Sequence, residues 1–228
     1  MRKIAIVVIH LLLSTLTQAQ LIENRLNIYL SYSVGSFSGS ETINEDNYIA
    51  PSLYPNYNKL SGFSVKGLIN SGKYLSYGIN YDYQSAHEWT SSNYSDFGGS
   101  EIQLHSITPL ARFHNKFMGS GLSNRLLVFI ECGPTIGFSD LVLARSLFEI
   151  HTNEYSSTPP MSDRNVFTGF KGNIGIDYSF AQYMGFFVSY SYRMDWVSSK
   201  LYDDDTIKCS LINAGLIMKL KKNKYLYY

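Results

Sequence analysis

The sequence predicts an all-β chain that closes into an eight-stranded antiparallel up-and-down transmembrane β-barrel, on three observations. Apolar and polar residues alternate with a period of two along most of the chain, which is typical of strands with one face in an apolar phase. Short turns alternate with long polar connections, as in barrels with short periplasmic turns and long extracellular loops. Aromatic residues reach 15% and charged residues only 16%, although the mean hydropathy is −0.10.

Composition excludes several classes of function. The 228 residues carry a net charge of +1, so there is no basic excess with which to bind nucleic acid. The two cysteines, Cys132 and Cys209, are too few for a disulfide-dense mini-protein or a four-thiolate zinc site. No run of about 20 apolar residues follows the first twenty positions, which excludes a helical membrane protein. We predict no cofactor and no metal site.

The N-terminal residues have the features of a secretory signal peptide. Arg2 and Lys3 precede an apolar stretch over Ile4–Leu13, and Thr17-Gln18-Ala19 forms a small-x-small cleavage site. We therefore predict cleavage between Ala19 and Gln20, a signal peptide over residues 1–19 and one barrel domain over residues 20–228. The predicted location is the cell outer membrane.

The first three predicted strands show the alternation most simply. In the first, Arg25–Phe37, the even positions from Leu26 to Val34 are apolar or aromatic, and the odd ones between them are polar except Tyr29. The second strand covers Leu60–Asn70 and ends at the tight turn Ser71-Gly72. In the third, Lys73–Ser85, the odd positions are apolar and the even ones polar or small. Each strand therefore has one face for lipid and one for a polar interior.

The fourth and fifth predicted strands each contain a proline. The pattern of Glu101–Asn115 is irregular, and we predict that its phase slips near Ser106–Pro109. The fifth strand, Arg125–Phe138, alternates regularly but contains Pro134. Because proline removes a ladder donor, we interpret Pro109 and Pro134 as bulges on adjacent strands.

The last three predicted strands are Phe167–Ala181, Gly185–Ser198 and Ile207–Lys221. Their even positions are mostly apolar from Phe170, Phe186 and Ile212 onward, and the odd ones between them are mostly polar or small. Outer-membrane barrels usually end on an aromatic residue. Lys221–Tyr228 therefore either extends the last strand to Tyr228 or forms a short periplasmic tail.

The connections indicate the environment of the barrel. Three are short: Asn70–Lys73, Lys116–Asn124 and Gln182–Met184. Four are mostly long and polar, and are predicted to be extracellular loops: Ser38–Lys59, Ala86–Ser100, Ser139–Val166 and Ser199–Thr206. A secreted lipocalin-like barrel with its apolar face inward is the alternative, and it explains the alternation but not the asymmetry of the connections.

The two faces assign roles to particular side chains. About eight strands enclose only enough room for side chains, so we predict that the inward charges form a salt-bridged plug, with a proton or ion path as the alternative. The predicted lumen network is Lys66, Asp82, Glu131, Lys171, Asp177, Arg193 and Asp195. The predicted aromatic girdle at the membrane interfaces is Tyr77, Tyr83, Tyr178, Tyr192 and Trp196.

Three further groups are candidates for chemistry. His105 and Ser106 resemble a base and nucleophile, but adjacent residues of a strand point to opposite faces unless the phase slips. Asp203-Asp204-Asp205 offers carboxylates to Ca²⁺ but lacks the spacing of a dedicated calcium loop. Cys132 and Cys209 lie on non-adjacent strands, so no disulfide is expected.

Several segments resemble the outer-membrane β-barrel family of Bacteroidetes described as porin-like or PorT-like. The resemblance is carried by Leu104–Phe113, Phe129–Gly137, Gly175–Phe180 and Asn213–Leu220. It implies an outer-membrane barrel and an accessory role in a secretion machine.

We predict a non-enzymatic integral outer-membrane protein with a structural or loop-mediated binding role. The alternatives are a narrow channel or transport route for small or hydrophobic molecules, a PorT-like secretion accessory and, least favoured, a lipid-modifying enzyme. The expected partners are outer-membrane lipid, lipopolysaccharide, and a protein or ligand at the extracellular loops, where tyrosines occur among Ser and Asn. These tyrosines are Tyr48, Tyr54, Tyr57, Tyr94 and Tyr155.

Overall fold

A computed structural model describes residues 25–38, 59–71, 74–91, 97–114, 126–149, 154–181, 183–197 and 206–221. Nearly all of them lie in eight strands. The strands are β1 Arg25–Ser38, β2 Leu60–Asn70, β3 Leu75–Ser91, β4 Phe97–His114, β5 Leu126–Glu149, β6 Glu154–Tyr178, β7 Met184–Val197 and β8 Thr206–Lys221. No helix in these ranges is long and apolar enough to span a membrane.

The strands form one closed barrel in chain order, and every neighbouring pair is antiparallel. Closure comes from β1 and β8, which pair from Arg25↔Lys221 to Ser38↔Lys208. Closure leaves no strand edge along the barrel wall, as lipid requires. The predicted eight-stranded antiparallel fold is confirmed.

The strands on one side of the barrel extend further than those on the other side. We call the end of the barrel that holds Arg25 and Lys221 the lower end, and the opposite end the upper end. The β2–β3 ladder stops at Ser61↔Ser85 and the β6–β7 ladder at Phe167↔Val197. The ladders among β3, β4, β5 and β6 continue upward, and β5 pairs with β6 as far as Glu149↔Glu154. Four adjacent strands therefore rise above the rest of the upper rim.

Two of the segments predicted as extracellular loops are mostly strand, so these two predictions are wrong. Most of Ala86–Ser100 is strand, because β3 continues to Ser91 and β4 begins at Phe97. Most of Ser139–Val166 is also strand, since β5 and β6 pair through it. A regular apolar alternation does not continue through these segments in the sequence. Main-chain hydrogen bonds to the neighbouring strand form nevertheless.

The predicted phase slip in β4 is also wrong. Even positions from Ile102 to Arg112 all face the interior and odd positions all face outward. The pattern is irregular in sequence because the interior face of β4 mixes apolar Ile102 and Leu104 with polar Ser106. The alternation of side-chain directions is continuous.

Pro109 and Pro134 lie on adjacent strands, as expected, but neither forms a bulge. The β4–β5 register is identical on both sides, at Ile107↔Ile136 and Ala111↔Cys132, with a gap in the ladder between. Thr108 Oγ1 and Thr135 Oγ1, 2.9 Å apart, hydrogen-bond across the gap. The register shifts instead between Leu143 and Arg145, opposite Pro159-Pro160. Bulges tolerate proline because no ladder donor is needed there.

The buried apolar side chains of the lumen form two groups, one near the upper end and one lower down, above Asn27 and Asn70. The upper apolar layer consists of Phe37, Leu60, Ala86, Ile102, Leu104, Phe167, Val197, Ile207, Cys209 and Leu211. The lower apolar layer consists of Tyr29, Leu68, Phe187 and Ile217. Gly137 leaves room for the upper layer, because a Cβ there would lie 2.5 Å from the Phe167 ring.

Several predictions fall outside the described residues. These are the signal peptide with its Ala19–Gln20 cleavage site, most of the loops Ser38–Lys59 and Ser199–Thr206, and the part of Lys221–Tyr228 that follows Lys221. The loop residues Tyr48, Tyr54, Tyr57, Tyr94 and Asp203-Asp204-Asp205 also lie outside. Tyr155, predicted in a loop, lies in β6.

Candidate functional site in the lumen and on the outer wall

The outer wall is apolar over its lower and middle parts. Along β7, Phe186, Val188, Tyr190 and Tyr192 are all exposed, while the residues between them are buried inside. The same arrangement holds for β1 at Leu30, Tyr32 and Val34. The wall thus exposes large apolar side chains that a soluble protein would bury, and the lipocalin-like alternative, with its apolar face inward, is wrong.

The predicted lumen charges all lie inside the barrel. Each of Lys66, Asp82, Glu131, Lys171, Asp177, Arg193 and Asp195 is at most 4% exposed. The structure separates them into two groups. Arg112, which the prediction omitted, joins the lower group.

The lower charge cluster consists of Lys66, Arg112, Glu131 and Asp177. Lys66 Nζ lies 2.9 Å from Glu131 Oε1, and the Arg112 guanidinium binds Glu131. Arg112 Nη1 also donates to Asp177 Oδ2 over 2.7 Å. Two cations thus meet two carboxylates from four strands, and their formal charges cancel.

Aromatic rings surround these cations. The Arg112 Cζ atom lies 3.8 Å from the Phe129 ring centre, and Lys66 Nζ lies 4.6 Å from the Tyr29 ring centre. The Tyr29 hydroxyl accepts from Arg112 Nη1 at 2.6 Å and donates to Asp177 Oδ2 at 2.8 Å. Cation–π contacts of this kind strengthen when water is excluded, so the rings and charges form one packed unit.

The upper charge cluster consists of Asp82, Lys171, Arg193 and Asp195. Lys171 Nζ lies 2.7 Å from Asp82 Oδ2, and Arg193 Nε lies 2.6 Å from Asp195 Oδ2. Arg193 also interacts electrostatically with Asp82, which links the two pairs. This cluster too has no net formal charge.

Small hydroxyl side chains separate the two clusters. On β7, Ser189 and Ser191 lie between Phe187 of the lower layer and Arg193. Asn213 Nδ2 donates to Ser191 Oγ at 3.0 Å. Ser31 and Ser64 hydrogen-bond at 2.6 Å. From the upper end, the lumen thus contains the upper apolar layer, the upper charge cluster, hydroxyl and amide side chains, and the lower charge cluster. The lower cluster is packed with Tyr29 and Phe187 of the lower apolar layer.

Arg112 and Tyr29 are the residues that sequence reasoning missed. Arg112 has the same even phase as Ser106 and Thr108 on β4, so it faces the lumen without any slip. Tyr29 was noticed only as an exception to the pattern. Tyr29 occupies an inward position and pairs with Lys66 on the neighbouring strand. A tyrosine among inward polar residues could have indicated the aromatic enclosure.

His105 and Ser106 do not form a catalytic pair. His105 faces outward and Ser106 inward, where Arg193 Nη1 donates to Ser106 Oγ at 3.0 Å. Both cysteines are free thiols, and Cys209 is buried while Cys132 is half-buried on the outer wall. The described residues contain no group of three or more His, Cys, Asp or Glu able to hold a metal.

The predicted girdle residues all lie on the outer face. Tyr192 and Trp196 are exposed on β7, and Tyr178 packs against Phe186 with ring centres 5.0 Å apart. Tyr83 contacts Phe63 at 5.2 Å, and Tyr77 is half-buried on β3. Their depth relative to the membrane interfaces stays a prediction.

An apolar outer wall around a charged lumen, closed without edges, is the arrangement of strands that cross lipid. The chain is an integral outer-membrane β-barrel protein.

Comparison with known proteins gives structural likeness only. The sequence matches no protein-family model and no curated protein. Ail, the attachment invasion locus protein of Yersinia pestis, crystallised with the heparin analogue sucrose octasulfate, is similar at 14% identity and TM-score 0.45, covering 87% of this chain and 100% of that one. Neisserial surface protein A is similar at 12% identity and TM-score 0.47, covering 87% and 97%. The Bacteroidetes-type family stays a prediction.

Proposed function

We propose that this protein is a non-conducting, non-enzymatic outer-membrane barrel that stabilises the envelope and presents its raised upper wall to a partner. The lower end then faces the periplasm and the raised wall faces outward, because outer-membrane barrels have their longer extramembrane segments on the extracellular side.

The filled lumen is the observation that supports this function best. Both charge clusters are internally paired, and the upper apolar layer lies above them with most of its side chains at most 3% exposed. An ion entering from the upper end would have to cross this mainly apolar layer, which is costly. Open aqueous pores occur in barrels of about 16–18 strands. A channel role is therefore disfavoured.

The raised wall favours a binding role over a purely structural one. A barrel needs strands of about 9–11 residues to span the membrane, whereas β5 has 24 residues and β6 has 25. The additional length lies above the rim, where it contributes nothing to crossing lipid. Strand structure there gives a surface for a partner outside the cell.

Planar-bilayer recording of the purified protein tests the first half of the proposal. We expect no conductance steps, and regular steps from the wild-type protein would overturn it. The matched variant Phe167→Ala removes a large ring from the upper apolar layer and should be leakier than Cys132→Ala, which changes only the outer wall.

Complementation of a deletion strain tests the second half. One strain receives the full chain and another a chain in which the β5–β6 hairpin is shortened to a two-residue turn beyond Ser139↔Asn165, a register pair. If both restore resistance to detergent, the role is structural and the binding proposal is wrong. A secretion defect cured by both would favour the PorT-like accessory role instead.

A further inference from the structure

The outer wall carries an aromatic patch at the upper edge of its apolar band. Its rings come from four adjacent strands: Phe63, Tyr81, Tyr83, His105 and Phe138. The His105 ring stacks on Phe138 with centres 4.5 Å apart and an interplanar angle of 15°. Tyr83 lies 4.9 Å from His105, and Phe63 lies 5.2 Å from Tyr83. We call these five rings the His105 patch.

The patch lies where the wall changes from apolar to polar. On β4 the outward positions below His105 include Ile107 and Phe113, whereas Gln103 and Glu101 follow above it. On β5, Asp140 follows Phe138. In an outer-membrane barrel this level corresponds to the headgroups of the outer leaflet.

His105 has a polar nitrogen available at this level. The Tyr81 hydroxyl lies 3.0 Å from His105 Nδ1. Which atom donates depends on the imidazole tautomer, and when the Tyr81 hydroxyl donates, the ring proton lies on Nε2. No hydrogen bond to Nε2 is found within the described ranges, so in that tautomer Nε2 can donate to a ligand. A phenylalanine at this position would stack on Phe138 equally well but could not hydrogen-bond to the Tyr81 hydroxyl.

Arg164 adds a cation beside the same ring. Its Cζ atom lies 5.5 Å from the Phe138 ring centre, and its side chain is 73% exposed. Arg164 binds Asp140 through Nε at 2.5 Å and Nη2 at 2.8 Å, so this pair does not use Nη1. The carboxylate orients the guanidinium, and Nη1 remains available for an anion.

We propose that the His105 patch binds one outer-leaflet glycolipid with a phosphorylated sugar headgroup. Arg164 Nη1 and His105 Nε2 donate to phosphate and sugar oxygens, and the aromatic rings pack against the sugar. The acyl chains lie along the exposed side chains of Phe63, Ile107 and Ile136. This inference rests on the outer-membrane placement of the proposed function, and it does not depend on the raised wall having a partner.

Native mass spectrometry of the full-length protein in mild detergent tests the proposal, with diphosphorylated lipid A, dephosphorylated lipid A and phosphatidylethanolamine as probes. The wild-type protein should retain one diphosphorylated lipid A. His105→Ala with Arg164→Ala should lower the apparent affinity at least tenfold. Lys208→Ala, which removes an exposed cation on β8 outside the patch, should leave it unchanged. Asp140→Asn should tighten binding, because it frees the whole guanidinium.

Equal binding of lipid A to the double variant and the wild type would overturn the site. Equal binding of phosphatidylethanolamine, or of dephosphorylated lipid A, would overturn recognition of the phosphorylated sugar. A heat-modifiable gel shift establishes that each variant is folded. Conductance by the wild-type protein would overturn the proposed non-conducting function and leave the lipid result intact, so the two failures are distinguishable.

Discussion

The guanidinium of Arg112 stacks on the ring of Phe129, with 3.8 Å between Cζ and the ring centre. The same guanidinium binds Glu131 on β5 and Asp177 on β6. One side chain therefore joins the aromatic enclosure to both acids of the lower charge cluster.

Replacing Arg112 with Met should strongly destabilise the barrel. Asp177 would lose its direct ion pair with Arg112, and breaking a buried ion pair by removing one partner costs about 3–5 kcal/mol. The measurement is urea-induced unfolding in lipid vesicles. Arg164→Met is the control, because an exposed pair contributes about 0–1 kcal/mol. Equal losses for the two variants would contradict the assigned role of Arg112.

Two glycines should differ sharply in their tolerance of alanine. A Cβ on Gly137 would lie 2.2 Å from the His105 carbonyl oxygen, whereas a Cβ on Gly172 would meet nothing within 4 Å. Gly137→Ala should therefore cost about 1–3 kcal/mol, as overpacking does, and Gly172→Ala should be close to neutral. Thermal unfolding monitored by the gel shift compares them. A neutral Gly137→Ala would show that β4 and β5 are not in close contact there.

The two thiols should report the two faces of the wall. Cys132 lies half-buried on the outer face and Cys209 is buried in the lumen. In folded protein in vesicles, a lipid-soluble maleimide should label Cys132 alone. The unfolded protein should be labelled at both positions, as mass spectrometry of peptides would show. Labelling of Cys209 in the folded state would mean that the upper apolar layer admits small molecules.

Trp196 tests the girdle prediction. In a Trp89→Phe variant it is the single tryptophan of the chain, which has two. Since Trp196 is exposed on the outer wall near the upper end of β7, shallow lipid quenchers should reduce its fluorescence more than deep ones. Stronger quenching by the deep probe would place the residue in the hydrocarbon region and remove it from the girdle.

The period-two pattern predicts most of the barrel, because alternate residues of each strand face lipid outside and polar side chains inside. The facing of Lys66, Glu131 and Asp195 followed directly from this pattern. The pattern did not predict strands over Ala86–Ser100 and Ser139–Val166, because the regular apolar alternation ends in these segments. Arg112 was missed because apolar Ile102, Leu104 and Leu110 share its face and obscure the phase.

Local sequence thus accounts for the number of strands, their order and the direction of most side chains, since each depends on the solvent next to a single residue. It does not account for which charges pair. Lys66 and Glu131 are 65 positions apart, and Lys171 and Asp82 are 89 apart. Their partners depend on the register of several ladders at once, and that register is set by closure of the barrel. The same holds for the His105 patch, whose rings meet only because four strands lie side by side.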